Sequence, residues 1–295
     1  MQDAPSHTAQ IIKLNGERIT RTYTSEIVNT IEKAKHKSYS AVGLEFDFTF
    51  YGKDKDGLLN YNLEVKKRVL LNEKLNAIRK LNKAQKIAIK VATINNILKF
   101  KVDKNFKLNK VVNTNEIRTK WTGIKAELLN DFPDLSKMIA DFDWQLKEEN
   151  IQRVFLEDNF YNFFFSNVFY AEFDNKKLYN QSKTIANGVN NINIPIIEQR
   201  KIIKQDLAFT DVTIQLNSEM DSNNEKFPIS KLNTFIGSLP SNIGENYMLD
   251  FDYKGIYKIK PEYGLVTQGT LNYTFNVEGL YKKTTTITFN LEKDE

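Results

Sequence analysis

The chain has 295 residues, of which 41% are hydrophobic and 27% are charged, and its formal net charge is +5. This length fits one large domain or two ordinary ones, and the composition is that of a globular protein with a real core. The absence of Cys excludes disulfides, thiolate nucleophiles and cysteine-ligated zinc, and two His leave little for a Ser-His-Asp triad or a multi-His metal site.

The sequence shows no membrane or export signal. No run of residues approaches the ~18 consecutive apolar positions of a transmembrane helix. The opening residues, MQDAPSHTAQ, lack the basic and apolar regions of a signal peptide. We therefore expect a soluble protein, cytoplasmic or exported after removal of a signal. The abundance of Asn and Lys is typical of an AT-rich genome and favours a bacterial or phage origin.

The N-terminal part of the chain predicts short elements of both kinds. Residues 11–23 alternate loosely, which favours a strand or hairpin, and residues 25–37 predict a short helix with Ser25 as its N-cap. Two period-two runs within residues 44–65, separated by KDKDG, predict a β-hairpin with one buried face.

The next segment continues this mixture. Residues 69–84 predict a helix, and the alternation over residues 87–93 predicts a strand. Residues 97–112 predict a second hairpin. Asn113 and Glu116 then have the spacing of a capping box, which predicts a helix that begins between them.

The middle of the chain is aromatic. The stretch DNFYNFFFSNVFYAEF, residues 158–173, has Phe or Tyr at eight of its sixteen positions, and we place it in a helix over about residues 148–171. A helix that is apolar on nearly all sides is buried, and the apolar face of a sheet is its best cover. Core packing is the favoured interpretation, and a protein interface or an apolar ligand pocket stays open. The candidate pocket residues are Phe160, Phe164, Phe165 and Phe169.

The C-terminal third has the pattern of strands. Residues 187–195, NGVNNINIP, predict a linker. The alternation over residues 247–291 predicts an antiparallel meander with one solvent-exposed face. The chain as a whole predicts an α+β fold, with antiparallel β-hairpins and meanders at both ends and a helical, aromatic-rich middle segment. The predicted domains are a basic α+β domain (1–129), an aromatic helical segment (130–186), the linker (187–195) and an antiparallel β-meander domain (196–295).

Charge is distributed unevenly along the chain. Residues 66–120 contain 16 Lys and Arg but only three Asp and Glu, so this segment predicts a positive field over one end of the molecule. A solvated face, an acidic protein partner or second copy of the chain, and salt-sensitive nucleic-acid binding all fit such a field. The candidate partner-binding residues lie in or beside the second hairpin: Lys101, Lys104, Lys107, Lys110 and Phe106.

Motifs for catalysis and cofactors are weak. Asp141 and Asp143 flank Phe142, but positions i and i+2 of a helix do not face each other, so they predict no catalytic pair. KDKDG lacks the spacing of an EF-hand, and the glycines form neither GxGxxG nor a P-loop, so no metal or cofactor is predicted.

These observations favour a non-catalytic binding or structural subunit. It would act through protein–protein contacts or self-assembly, with residues 66–120 as one contact surface. Two alternatives stay open: a carrier of a lipid or other apolar ligand in an aromatic-lined half-barrel, and a nucleic-acid binder that uses the basic segment.

Overall fold

Strands dominate the fold. The computed structural model describes residues 19–34, 36–173, 176–205, 211–240, 248–260 and 265–292. The strands in these ranges form an 11-stranded sheet in the order β5-β4-β3-β2-β1-β11-β10-β9-β8-β7-β6. Every strand pairing whose register is described is antiparallel. The predicted α+β fold with a helical middle between separate hairpins is therefore wrong, because the strands belong to a single large sheet.

The described elements have the following bounds. The strands are β1 (Thr20–Lys33), β2 (His36–Lys53), β3 (Leu59–Leu70), β4 (Ile97–Val102), β5 (Leu108–Val111), β6 (Leu178–Val189), β7 (Ile192–Gln205), β8 (Val212–Met220), β9 (Asp250–Lys260), β10 (Leu265–Val277) and β11 (Tyr281–Leu291). The α-helices are α1 (Lys83–Ala92), α2 (Thr114–Asp131), α3 (Ser136–Gln145), α4 (Glu148–Leu156), α5 (Asn159–Phe164) and α6 (Ile229–Gly237).

The chain divides into two compact units. The aromatic unit contains residues 19–24, Val42–Phe165 and Glu292. The meander unit contains the described parts of Ser25–Ala41 and Ser166–Leu291. Residues 187–195, predicted as a linker, include the end of β6, the turn after it and the start of β7 within the meander unit.

Two segments predicted as helices are not helical. Residues 25–37 lie largely in β1, whose neighbours in the sheet are β2 and β11, and Ile27 and Val28 are β-branched residues that suit a strand. Residues 69–84 contain the end of β3 and a turn region with a bridge from Leu71 to Ala77, and helix begins only at Lys83. In the first case, β1 lies between the adjacent strand β2 and the sequence-distant strand β11, and this sheet pairing outweighs local propensity.

The strand predicted over residues 87–93 is instead the end of α1. Asn82 and Gln85 form a complete capping box at its start, and Ile87 and Val91 lie one turn apart on its buried side. The helix predicted after Asn113 is confirmed and begins at Thr114. Its predicted capping box is wrong, because the Asn113 side-chain oxygen accepts from the backbone N–H of Lys99 at 2.9 Å.

The two hairpins and the C-terminal meander predicted from alternation are confirmed. Residues 44–65 lie in the β2–β3 hairpin, where Phe46 pairs with Val65 and Phe48 with Leu63. Residues 97–112 contain the β4–β5 hairpin. Residues 250–291 contain the β9–β10–β11 meander, and residues 247 and 261–264 of the predicted pattern lie outside the described part.

Close packing around Gly255 provides a test of the strand register of β8, β9 and β10. A Cβ there would lie 2.9 Å from Leu216 Cδ1 and 3.0 Å from the carbonyl oxygen of Thr270. We expect Gly255→Ala to lower the free energy of unfolding by about 1–3 kcal/mol through overpacking, measured by urea denaturation. Gly123→Ala is the matched control: the site is open and helical, so this change should stabilise by ~0.5–1 kcal/mol. Equal effects of the two changes would contradict the described packing.

Candidate functional site

One row of residues crosses strands β6 to β11 in the meander unit and contains a buried charge. Paired in register, its members are Tyr179, Arg200, Leu216, Gly255, Leu271 and Ile287. Residues opposite one another in a sheet share a face, so Arg200 shares its face with Leu216, Leu271 and Ile287. We call this side of the sheet the Arg200 face. Arg200 is 0% exposed, so a full charge is buried next to apolar residues on this face.

Glu198 supplies the counter-charge. It lies two positions before Arg200 on β7 and is also 0% exposed. One carboxylate oxygen accepts from Arg200 Nε at 2.7 Å and lies 3.0 Å from Lys183 Nζ, and the other accepts from the hydroxyl of Tyr253. Burial by itself raises the pKa of Glu198, but Lys183, Arg200 and the Tyr253 hydroxyl outweigh it and lower that pKa to about 2. The carboxylate is therefore ionised at neutral pH.

The guanidinium of Arg200 has one hydrogen-bond donor without an acceptor in the described part of the chain. Its Nη1 donates to the backbone carbonyl of Asn167 at 2.7 Å, and its carbon lies 5.7 Å from the ring centre of Tyr179. Its Nη2 is buried and has no hydrogen-bond partner among the described residues. Lys183, Glu198 and Arg200 form what we call the buried charge cluster, in which two cations share one carboxylate. The cluster thus has an unmet donor on a charged group, and each buried polar group of this kind requires an explanation.

An irregular segment lies over the cluster. The covering segment, Ser166–Phe173, follows α5 and contains no helix or strand. Its Asn167 carbonyl meets Arg200, and its Phe173 ring lies 5.9 Å from the Tyr179 ring, so both contacts reach the Arg200 face. Its buried apolar side chains are Val168, Phe169, Ala171 and Phe173.

The covering segment replaces the end of the predicted aromatic helix. The single helix predicted over residues 148–171 is wrong, because α4 ends at Leu156 and Asp158 starts a new helix by accepting from the backbone N–H of Tyr161 at 3.0 Å. Helix α5 then ends at Phe164. Asn167 and Tyr170 adopt positive φ values of 49° and 53°, a left-handed conformation that non-glycine residues rarely adopt.

Three of the predicted pocket residues lie together in the aromatic unit: Phe160, Phe164 and Phe165. The ring centre of Phe164 lies 5.5 Å from that of Phe46 and 5.1 Å from that of Phe48, at edge-to-face angles. We call the packed rings on β2, β3 and α5 the aromatic cluster. Its members are buried against one another. Phe169, the fourth predicted residue, belongs to the covering segment of the meander unit.

The predicted partner-binding residues share the β4–β5 hairpin but face different surroundings. Lys104, Lys107 and Lys110 are exposed, whereas Lys101 pairs with Asp54 at 2.5 Å. Phe106 is buried and packs against Phe48 in the aromatic cluster. The hairpin therefore presents lysines without an aromatic anchor, and partner contact at this surface stays a prediction.

Acidic residues from elsewhere in the chain meet several lysines of the basic segment. Lys66 lies 3.2 Å from Asp47, and Lys90 lies 2.8 Å from Glu127. These acids lie outside residues 66–120, so the positive field of that segment is smaller than its own composition suggests.

A polar cleft of about 430 Å³ lies beside α2 and contains Asp143, one of the carboxylates considered for catalysis. One oxygen of Asp143 accepts from Trp121 Nε1 at 2.7 Å, and the other accepts from Lys125 Nζ at 2.5 Å. With both oxygens engaged, Asp143 holds the side chains of Trp121 and Lys125 in place.

The buried charge cluster was not predicted, although the sequence of β7 contains a pattern that indicates it. Every second residue of the strand is apolar at Ile192, Ile194 and Ile196, and the same spacing continues to Glu198 and Arg200. Period two places all five on one side of β7. Ionised residues that continue an apolar alternation predict a buried charge pair.

Comparison with known proteins gives no family. No protein-family model and no curated protein matches the chain. Among solved structures, lipovitellin, studied for its lipid–protein interactions, aligns with 93% of this chain at 8% identity and a TM-score of 0.47. DynF of the dynemicin biosynthesis pathway of Micromonospora chersina aligns with 99% of the chain at 6% identity and a TM-score of 0.20, covering 89% of DynF.

These similarities do not establish a shared fold or function. The chain spans about a quarter, 25%, of the lipovitellin chain that it matches. Within the described ranges, no helix is both long enough and apolar enough to cross a membrane.

Proposed function

We propose that the protein binds an apolar ligand on the Arg200 face of the meander unit. One observation carries this proposal: near the buried charge cluster, the apolar face is closed by the irregular covering segment. Helices and sheets cover apolar faces with backbones whose hydrogen bonds are satisfied internally. An irregular segment of eight residues is a cover that a ligand can replace.

The side chains of the covering segment resemble the ligand that would replace them. Val168, Phe169 and Phe173 bury hydrocarbon surface, and an apolar chain in their place would bury a similar area, at ~25 cal/mol per Å². Release of the segment also relieves the left-handed backbone at Tyr170, which costs roughly 1–2 kcal/mol for such a residue. Exchange of the segment for a ligand therefore carries a modest free-energy difference.

The aromatic cluster is a weaker candidate for the same function. Phe160 and Phe164 stack with their ring centres 5.8 Å apart, and the neighbouring rings meet them edge-to-face. A ligand there would have to separate aromatic pairs that contribute ~0.5–1.5 kcal/mol each beyond their burial. It would also have to displace α5, a regular helix.

Titration with 1-N-phenylnaphthylamine, an uncharged fluorescent apolar probe, tests the proposal. We expect saturable binding to the wild-type protein with a stoichiometry of one probe per chain and a blue-shifted emission. A linear, non-saturating signal would refute apolar ligand binding.

A variant of the covering segment locates the site. Phe169→Ala removes a large buried ring from the cover, so we expect faster probe uptake in stopped-flow fluorescence than in the wild type. Phe100→Ala is the matched control, since it removes an equally buried ring from the aromatic unit. Equal uptake rates in the two variants would place the binding site elsewhere.

A further inference from the structure

We infer that the apolar ligand carries a carboxylate, which the guanidinium of Arg200 binds in the buried charge cluster. This inference rests on the proposed function and names the chemical class of its ligand: a carboxylic acid with a long apolar chain.

The hydrogen bonds of Arg200 leave one side of its guanidinium for such a group. Nε is engaged by Glu198, and Nη1 donates to the neutral carbonyl of Asn167, while Nη2 has no partner among the described residues. A carboxylate has two coplanar oxygens that match the Nη1 and Nη2 donors of a guanidinium. It would satisfy Nη2 and would replace the neutral acceptor on Nη1 with a charged one.

The charge around Arg200 also suits a monoanion. Arg200 shares the carboxylate of Glu198 with a second cation. Lys183 Nζ lies 3.0 Å from the same oxygen that accepts from Arg200 Nε. Two cations thus lie beside one carboxylate, so a second anion next to Arg200 would be attracted to the cluster. A ligand carboxylate on Nη1 and Nη2 would give Arg200 a second anionic partner on the opposite side from Glu198.

Competition against the bound uncharged probe separates carboxylate recognition from apolar binding. Palmitic acid and hexadecanol share one hydrocarbon chain and differ in their head groups. At a pH where the acid is ionised, we expect palmitic acid to bind wild-type protein about tenfold to a hundredfold more tightly than hexadecanol. Arg200→Met should abolish that preference, and Arg200→Lys should restore only part of it because an ammonium lacks the planar fork.

Each result has one meaning. Equal displacement by the acid and the alcohol in wild type overturns the carboxylate inference and leaves apolar binding intact. Displacement of the probe by neither ligand overturns the carboxylate inference, whereas the absence of saturable probe binding overturns apolar binding itself. The wild-type comparison needs no variant, so it decides the question even where Arg200→Met fails to fold.

Discussion

Glu198→Gln is expected to lower the free energy of unfolding at neutral pH by about 3–5 kcal/mol, the effect of removing one partner from a buried ion pair. The substitution keeps the shape of the side chain but removes the negative charge that faces Lys183 and Arg200. The two cations then lose the counter-charge that they share. Urea denaturation followed by circular dichroism measures the loss.

The same substitution should change how stability depends on acid. The pKa of Glu198 is lowered from 4.5 to about 2 in the folded protein. A lowered folded-state pKa gives stability that is fully present above the unfolded pKa and is lost as pH falls through the folded value. Wild type should thus lose about 3 kcal/mol from this group between pH 4.5 and 2, at about 1.36 kcal/mol per unit of pKa. In Glu198→Gln this contribution is absent, so the variant is less stable at neutral pH and its acid profile is flatter.

Glu219→Gln is the matched control for both measurements. Glu219 lies on the neighbouring strand β8 and is exposed. We expect its substitution to change stability by less than about 0.5 kcal/mol, as for most surface positions. An acid profile of Glu198→Gln that runs parallel to that of wild type would contradict the buried, charge-paired carboxylate.

The elements predicted correctly from the sequence are those whose pattern and pairing are both local. In the β2–β3 hairpin, alternation and turn chemistry agree, and Phe48 meets Leu63 across a short loop. Residues 25–33 show the opposite case, since β1 lies between β2 and β11 and the latter is far away in sequence. No local pattern specifies such a partner, so weak helical spacing around Ile27 and Ile31 was misleading.

The candidate site also depends on contacts between strands that are distant in sequence. The alternation from Ile192 to Arg200 is visible in the sequence, but it does not reveal that Tyr253 supplies a hydroxyl to Glu198 from another strand. The covering segment was not predicted from the sequence for a different reason. Its aromatic residues continue those of α5, and only the end of the helix at Phe164 separates ring packing in the aromatic unit from the cover in the meander unit.

Phe48→Ala is expected to be the most destabilising change in the aromatic unit, at about 3–5 kcal/mol. Phe48 is buried, its ring stacks on Tyr61 with centres 4.5 Å apart, and it meets Phe164 and Phe165 at 5.1 and 5.9 Å. Truncation removes buried surface and leaves a cavity that rigid neighbouring rings fill poorly. Urea denaturation of Phe48→Ala and of Tyr51→Ala, whose ring on the same strand is 51% exposed, gives the comparison.

A double-mutant cycle between Phe48 and Phe164 distinguishes ring-to-ring contact from burial alone. If the two rings interact directly, as their edge-to-face angle of 84° indicates, Phe48→Ala and Phe164→Ala should be non-additive by roughly 0.5–1.5 kcal/mol. The corresponding cycle between Phe48 and Tyr51 should be additive within ~0.5 kcal/mol, because Phe48 is buried whereas Tyr51, at the bulge between Phe50 and Gly52, is exposed. Additivity in both cycles would mean that α5 covers the sheet as an apolar surface without specific ring contacts. The case for a filled aromatic cluster, and with it the preference for the Arg200 face as the ligand site, would then be weaker.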